Sequence, residues 1–202
     1  MPTIRNRFHA FMLSVLLLTG ILVTPNGANA NEQQWGHWRG PTGNGESLTA
    51  TPPKEFGPDK NCRWKQPIPG RGSSSPVVWD DQVFITTAIP VSDGRGTLDF
   101  RLLCYDRKTG TKQWDHSCIK AVPYEGTHST NGYASASPCT NGRYVYAHFG
   151  SQGLYCLTMD GKPVWDKDFG DMHTRNEFGE GSSPTLVDDK IVIPWDHEGP
   201  SH

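Results

Sequence analysis

The 202 residues carry 19 Lys and Arg against 21 Asp and Glu, a formal charge of −2 at pH 7. That balance excludes the basic face a nucleic-acid partner requires. With 22 Gly and 16 Pro, and no apolar run at helical spacing after residue 30, the chain reads as short segments and many turns, an all-β composition.

Residues 1–30 have the form of a secretory signal. Arg5, Arg7 and His9 precede an apolar run from Phe11 to Val23, and Ala28-Asn29-Ala30 supplies the small residues read at a cleavage site. The run is shorter than the roughly 20 residues that span a bilayer. The expected location is extracytoplasmic, periplasmic or secreted, with no membrane span after cleavage. Such a compartment permits disulfides. Five cysteines (Cys62, Cys104, Cys118, Cys139 and Cys156) leave at least one unpaired, and no Cys-x-x-Cys suggests zinc. Cys104 and Cys156 read as small buried side chains on strands.

Residues 31–61 read as an irregular lead-in, with the turn-rich stretch Trp35-Gly-His-Trp-Arg-Gly-Pro-Thr-Gly-Asn-Gly45 and a proline-rich connector. Cys62 to Ile68 alternates around Trp64 and is expected to form a lone strand. Three passages then align: Gly70 to Pro76, Gly132 to Pro138 and Gly179 to Pro184, each ending in Ser-Pro. Each leads to a hairpin signal (Asp80-Asp81, Asn141-Gly142, Asp188-Asp189) and a β-rich strand: Val83 to Thr87, Tyr144 to Phe149, Lys190 to Trp195. Leu103 to Trp114 and Tyr155 to Trp165 form a second pair of near copies. Trp64, Trp114 and Trp165 stand 50 and 51 residues apart. A period near 50 marks stacked repeats. One repeat is four antiparallel strands, with small residues on the innermost and Trp on the outermost, which describes a propeller blade rather than a sandwich.

The expected fold is therefore an incomplete β-propeller over residues 62–202, with blades at about 70–118, 133–169 and 179–202. Two and a half blades do not close a ring, so the chain is expected to be the first part of a longer protein or a truncated product. Trp64, Trp114 and Trp165 are the expected blade-docking residues.

Cys104-x-Asp106-x-x-Thr109-Gly110-x-x-x-Trp114 resembles the tryptophan-docking motif of pyrroloquinoline-quinone-type propeller repeats, with Cys where Ala is usual. The second copy has a shorter turn, with Thr158 in place of the Asp. Trp38-Arg39-Gly40-Pro41 is similar to the lead-in of secreted propellers of this type. The resemblance implies repeat architecture and two alternatives for activity. Members include quinone-dependent alcohol and sugar dehydrogenases, and an outer-membrane assembly factor that binds no quinone.

Strand alternation places the A–B and C–D turns on one face and the longer B–C and D–A connections on the other. Binding is expected on the long-loop face. Its ionisable residues include Asp93, Arg95, Glu125, His128 and His173. The candidate binding residues are Arg71, Tyr133, Arg175, Glu177, Glu180, Asp196, His197 and Glu198. No catalytic residue is expected: no serine sits in Gly-x-Ser-x-Gly, the Gly-x-Gly-Ser runs lack a P-loop lysine, and Asp196-His197-Glu198 are consecutive and do not converge on one ion. His148 reads as a hydrogen-bonded sheet residue. The expected function is an exported binding or scaffold module with a protein or cell-envelope partner and no cofactor. The alternative is a fragment of a quinone-dependent alcohol or sugar dehydrogenase using pyrroloquinoline quinone with calcium. Relatives with bound quinone carry adjacent cysteines, which this chain lacks.

Overall fold

The computed structural model describes residues 34–47 and 49–199. The expected signal peptide lies outside them. Among the described residues no helix is long and apolar enough to cross a membrane.

The fold is all-β. The first sheet runs β1 (Val77–Trp79), β2 (Gln82–Pro90), β3 (Leu98–Asp106), β4 (Lys112–Ala121), in sequence order and antiparallel. The second repeats the order with β5 (Cys139–Thr140), β6 (Tyr144–His148), β7 (Leu154–Thr158) and β8 (Pro163–Lys167). A hairpin of β9 (Thr185–Val187) and β10 (Lys190–Val192) follows. These are two complete blades of an incomplete propeller and the inner half of a third.

The register explains the repeat. Val77, Phe84, Cys104 and Trp114 lie in one row across the first sheet, and Cys139, Tyr146, Cys156 and Trp165 form the same row in the second. The small cysteine lies between two aromatic residues and lets their rings approach. Phe84 and Trp114 are 5.8 Å apart, and Tyr146 and Trp165 are 6.0 Å apart. The row of blade one packs on Val145, Ala147 and Leu157 of blade two. The row of blade two packs on Leu186, Ile191 and Ile193.

Trp64 and Trp114 each lie on a turn glycine of the following blade. A Cβ on Gly161 would stand 2.7 Å from Trp114, and one on Gly110 would stand 2.6 Å from Trp64. Both glycines have positive φ, 74° at Gly110 and 83° at Gly161, so the turns need glycine for conformation as well as room. The indole N–H groups finish the contact: Trp64 donates to Arg107 O at 2.8 Å and Trp114 to Met159 O at 3.0 Å. Asp106 Oδ1 holds the first turn by accepting from Lys108 N and Thr109 N. In the second, the Thr158 hydroxyl accepts from Lys162 N at 3.1 Å. Trp165, 38% exposed, contacts Tyr146.

Four local expectations change. Cys62 to Ile68 forms no ladder; Trp64 is held through its indole, not through a strand. The Gly/Ser stretches precede the inner strands, which begin at Val77, Cys139 and Thr185, just after each proline. Proline has no N–H for a ladder, so the serines bond to the neighbouring blade instead: Ser75 N to Ser137 Oγ at 2.8 Å, Ser137 N to Ser183 Oγ at 3.0 Å. The Ser-Pro signature is an inter-blade ladder near the axis. Finally, Asn141-Gly142 belongs to a three-residue loop in which Asn141 Oδ1 accepts from Arg143 N and Tyr144 N. The strand expected to reach Trp195 stops at Val192.

The lead-in ties the inner strands together. Trp35 pairs with Val78, Gly36 O accepts from Thr140 N at 2.8 Å, and His37 Nε2 meets Thr185 Oγ1 at 3.0 Å. Three consecutive residues thus touch three successive blades.

All five cysteines are free thiols. Burial pushes Cys104, Cys118 and Cys139 up to about 12 and Cys156 up to about 11. Only the thiolate is nucleophilic. A thiol-reactive dye is therefore expected to label exposed Cys62 rapidly in the native protein, and the other four only on unfolding; mass mapping of the labelled peptides checks it.

Candidate functional site

The long connections meet at one rim. Residues 122–138 link the first two sheets and residues 168–184 lead to β9, while the turns at the opposite end are short.

Glu125 is the centre of the rim. Its Oε1 pairs with His173 Nδ1, and its Oε2 accepts from Thr174 N at 3.0 Å and Thr174 Oγ1 at 3.1 Å. The Thr174 amide, with His173, holds this carboxyl below the usual range. His173 backbone N–H donates to His197 Nδ1 at 3.3 Å, and His173 O accepts from Glu198 N at 2.8 Å. Arg175 Nε pairs with Glu198 at 3.1 Å. Three separate segments, around 125, 173 and 198, are thereby fastened together.

Next to this clamp is a cavity of about 30 Å³, between residues 123–126, 133–136, 148–152 and 179–182. Tyr133 and Glu180, both expected binding residues, line it. The Tyr133 hydroxyl donates to Glu125 O at 3.1 Å. Glu180 accepts from Ser151 N at 2.6 Å and from the Ser151 hydroxyl. A Cβ on Gly150 would overlap the Glu180 carboxylate, so glycine there makes its seat. Burial pushes the Glu180 carboxyl above its ordinary pKa.

His148 closes the cavity. It is 1% exposed, against Phe169 and Trp195. Its Nδ1 lies 3.0 Å from Ser182 O; a carbonyl only accepts, so Nδ1 carries the proton. Burial lowers its pKa and favours the neutral ring. Nε2 is then a bare acceptor, and it is buried with no hydrogen-bond partner.

Of the other expected residues, Glu177 lies against Gly126, whose Cβ would overlap its carboxylate. Arg71 bonds Ser129 O on the first long crossover. Arg175, His197 and Glu198 belong to the clamp. Asp196 is exposed and stands apart from the cavity. Sequence reasoning named Glu125 and His173 only as ionisable residues of this face. It read His148 as a hydrogen-bonded sheet residue, which holds for Nδ1 and not for Nε2. Ser151 carried no signal beyond its place in a short loop.

The cavity holds about one water molecule. A fused-ring quinone does not enter it. Among the described residues no group of three His, Cys, Asp or Glu side chains is placed to hold a metal ion. The residues of this cavity do not fit the quinone with its calcium.

The family model of PQQ_2, described as outer membrane protein assembly factor BamB, matches residues 28–198. No curated protein matches the chain. Among solved structures, a europium-containing methanol dehydrogenase is similar at TM-score 0.41 and 14% identity, over 61% of this chain and 20% of that one. BamB from Moraxella catarrhalis is similar at TM-score 0.34 and 15% identity, over 59% of this chain and 39% of that one. The chain thus spans well under two thirds of either structure.

Proposed function

We infer the role of this chain from one premise: it belongs to the PQQ-like repeat family, whose model bears the description outer membrane protein assembly factor BamB. The role is that of a binding or scaffold module acting outside the cytoplasm, on a protein partner in the cell envelope, without catalysis by this chain itself. The family description supports an envelope partner, and the pattern of residues 1–30 supports export.

The observation that carries the reading is the Glu125 clamp. It joins Glu125 to His173 and Thr174, 48 and 49 residues further along the chain, in one fixed rim. Ordered loops on a rigid scaffold are where recognition concentrates. The charged groups of the clamp are spent on each other, which suits a shaped surface better than a site that must exchange protons.

The test uses a photo-crosslinking residue at Arg175 or Asp196 on the rim, and at Lys108 on the short-turn end, in cells expressing the chain. A discrete adduct from the rim positions and none from Lys108 is expected. In parallel, pyrroloquinoline quinone and calcium are added to purified protein with alcohols and a redox dye. Unchanged dye is expected; saturable turnover would replace the scaffold with an enzyme.

A further inference from the structure

The lead-in holds the three blades by unlike bonds. It joins the first backbone to backbone: Trp35 N donates to Val78 O and Val78 N to Trp35 O, both at 2.8 Å. From the second, Thr140 N donates to Gly36 O at 2.8 Å. The bond to the third is a side-chain one, between His37 Nε2 and Thr185 Oγ1 at 3.0 Å. Backbone amides keep their protons near neutral pH, whereas a histidine ring changes charge there.

The state of the His37 ring follows from its partners. Arg39 N lies 3.3 Å from Nδ1. A backbone N–H only donates, so Nδ1 accepts, the ring is neutral, and Nε2 carries the proton given to Thr185. A proton added to Nδ1 sets two donors face to face. The added charge meets no opposite charge on the elements around the ring. The lead-in brings Arg39, a like charge, whose guanidinium lies 5.3 Å from the centre of the Trp38 ring. The first blade brings Trp79 and, at its turn, Asp80, which is bonded to Gln34 through both its carboxylate and its backbone N–H. The second and third bring Thr140, Thr185 and Leu186, all uncharged. Burial, and after it the Arg39 charge, hold the His37 pKa below the ordinary histidine value.

The Thr185 bond by itself tolerates the added proton, since Nε2–H donates in both forms. The ring does not stay where it is, because a half-buried side chain reaches water by rotating outward. Beneath the lead-in is a cavity of about 510 Å³, walled by Gly36, His37, Pro41, Trp79, Thr140 and Thr185. Departure of the ring opens it on the side of the third blade.

We propose that His37 is an acid-released latch. Neutral, it closes the lead-in onto the third blade; protonated, it swings into solvent and opens the cavity, while the backbone bonds to the first two blades hold. Because the folded-state pKa is the lowered one, the latch stabilises the closed form fully above the ordinary histidine value and is lost as pH falls through the folded value.

The test is NMR of the full chain, titrated downward through the histidine range. A nuclear Overhauser contact between the His37 ring and the Thr185 methyl group is expected at neutral pH. Its loss is expected to follow the titration curve of the His37 ring itself, with a midpoint below about 6.5. The contact between Trp35 and Val78 is expected to persist throughout. His37→Gln keeps an N–H for Thr185 and cannot take the charge, so its contact with Thr185 is expected to be the same at every pH. Arg39→Gln removes the like charge and is expected to shift the midpoint upward. A protonated His37 ring that keeps its Thr185 contact, a midpoint at or above the ordinary value, or an equal loss in the His37→Gln chain would overturn the proposal.

Discussion

Replacing Trp114 by alanine is expected to lower the unfolding free energy by about 3 kcal/mol, at the low end of the range for Trp→Ala because the ring is only half-buried. The ring fills the gap between the first two sheets. It lies on Gly161, packs on Phe84 at 5.8 Å and anchors Met159 O through its N–H. Removing it opens a void and takes from that carbonyl one of its two donors, leaving Gln82 Nε2 at 3.0 Å. Urea unfolding checks this, with a lowered midpoint and an unchanged slope. Trp165→Ala is the control. Its ring is 38% exposed, and the expected loss is about 1 kcal/mol or less. Equal losses at the two positions would mean that inter-blade docking is not what Trp114 contributes.

The second large effect is expected at Phe100. Its side chain is fully buried, and its ring meets Phe149 edge-on at 5.4 Å across the two blades. Phe100→Ala is expected to cost about 4 kcal/mol, from lost burial and an unfilled cavity. Phe100→Leu is expected to cost about 1.5 kcal/mol or less, since volume is nearly kept. Phe100 also lines the cavity beneath the rim, so the leucine variant is the one to carry into binding experiments. A small loss for alanine would indicate that the blades do not share a core.

The architecture was legible because the contacts that build it recur. Every blade needs a Ser-Pro entry, a hairpin and an outer Trp, so each appears at a fixed offset and the period is visible. The cause of each signal was not legible. Cys104 looked like a variant of a usual Ala; the register shows it as the gap between Phe84 and Trp114. The Ser-Pro serines looked like small residues at a crowded axis; Ser137 and Ser183 are also acceptors for amides of the preceding blade.

The rim is different. Glu125 finds His173 across 48 residues of irregular chain, with no repeat to announce the pairing. Tyr133 and Glu180 stood out because they flank the repeated Ser-Pro passages. The sequence shows His148 only as a sheet residue and Ser151 only as a loop residue, since their places at the rim depend on how the crossover loops fold back. Asp196 shares its sequence signal with His197 and Glu198, yet adjacent residues point apart, and only the latter two join the clamp.

What holds the first two blades above all is an indole seated on a turn glycine, Trp64 on Gly110 and Trp114 on Gly161. Proton NMR of the native chain tests this directly. Gly110 and Gly161 should show α-proton signals shifted upfield by ring current, with nuclear Overhauser contacts to Trp64 and Trp114 respectively. Ordinary α-proton positions at both glycines, with Trp114 contacting only its own sheet, would contradict it.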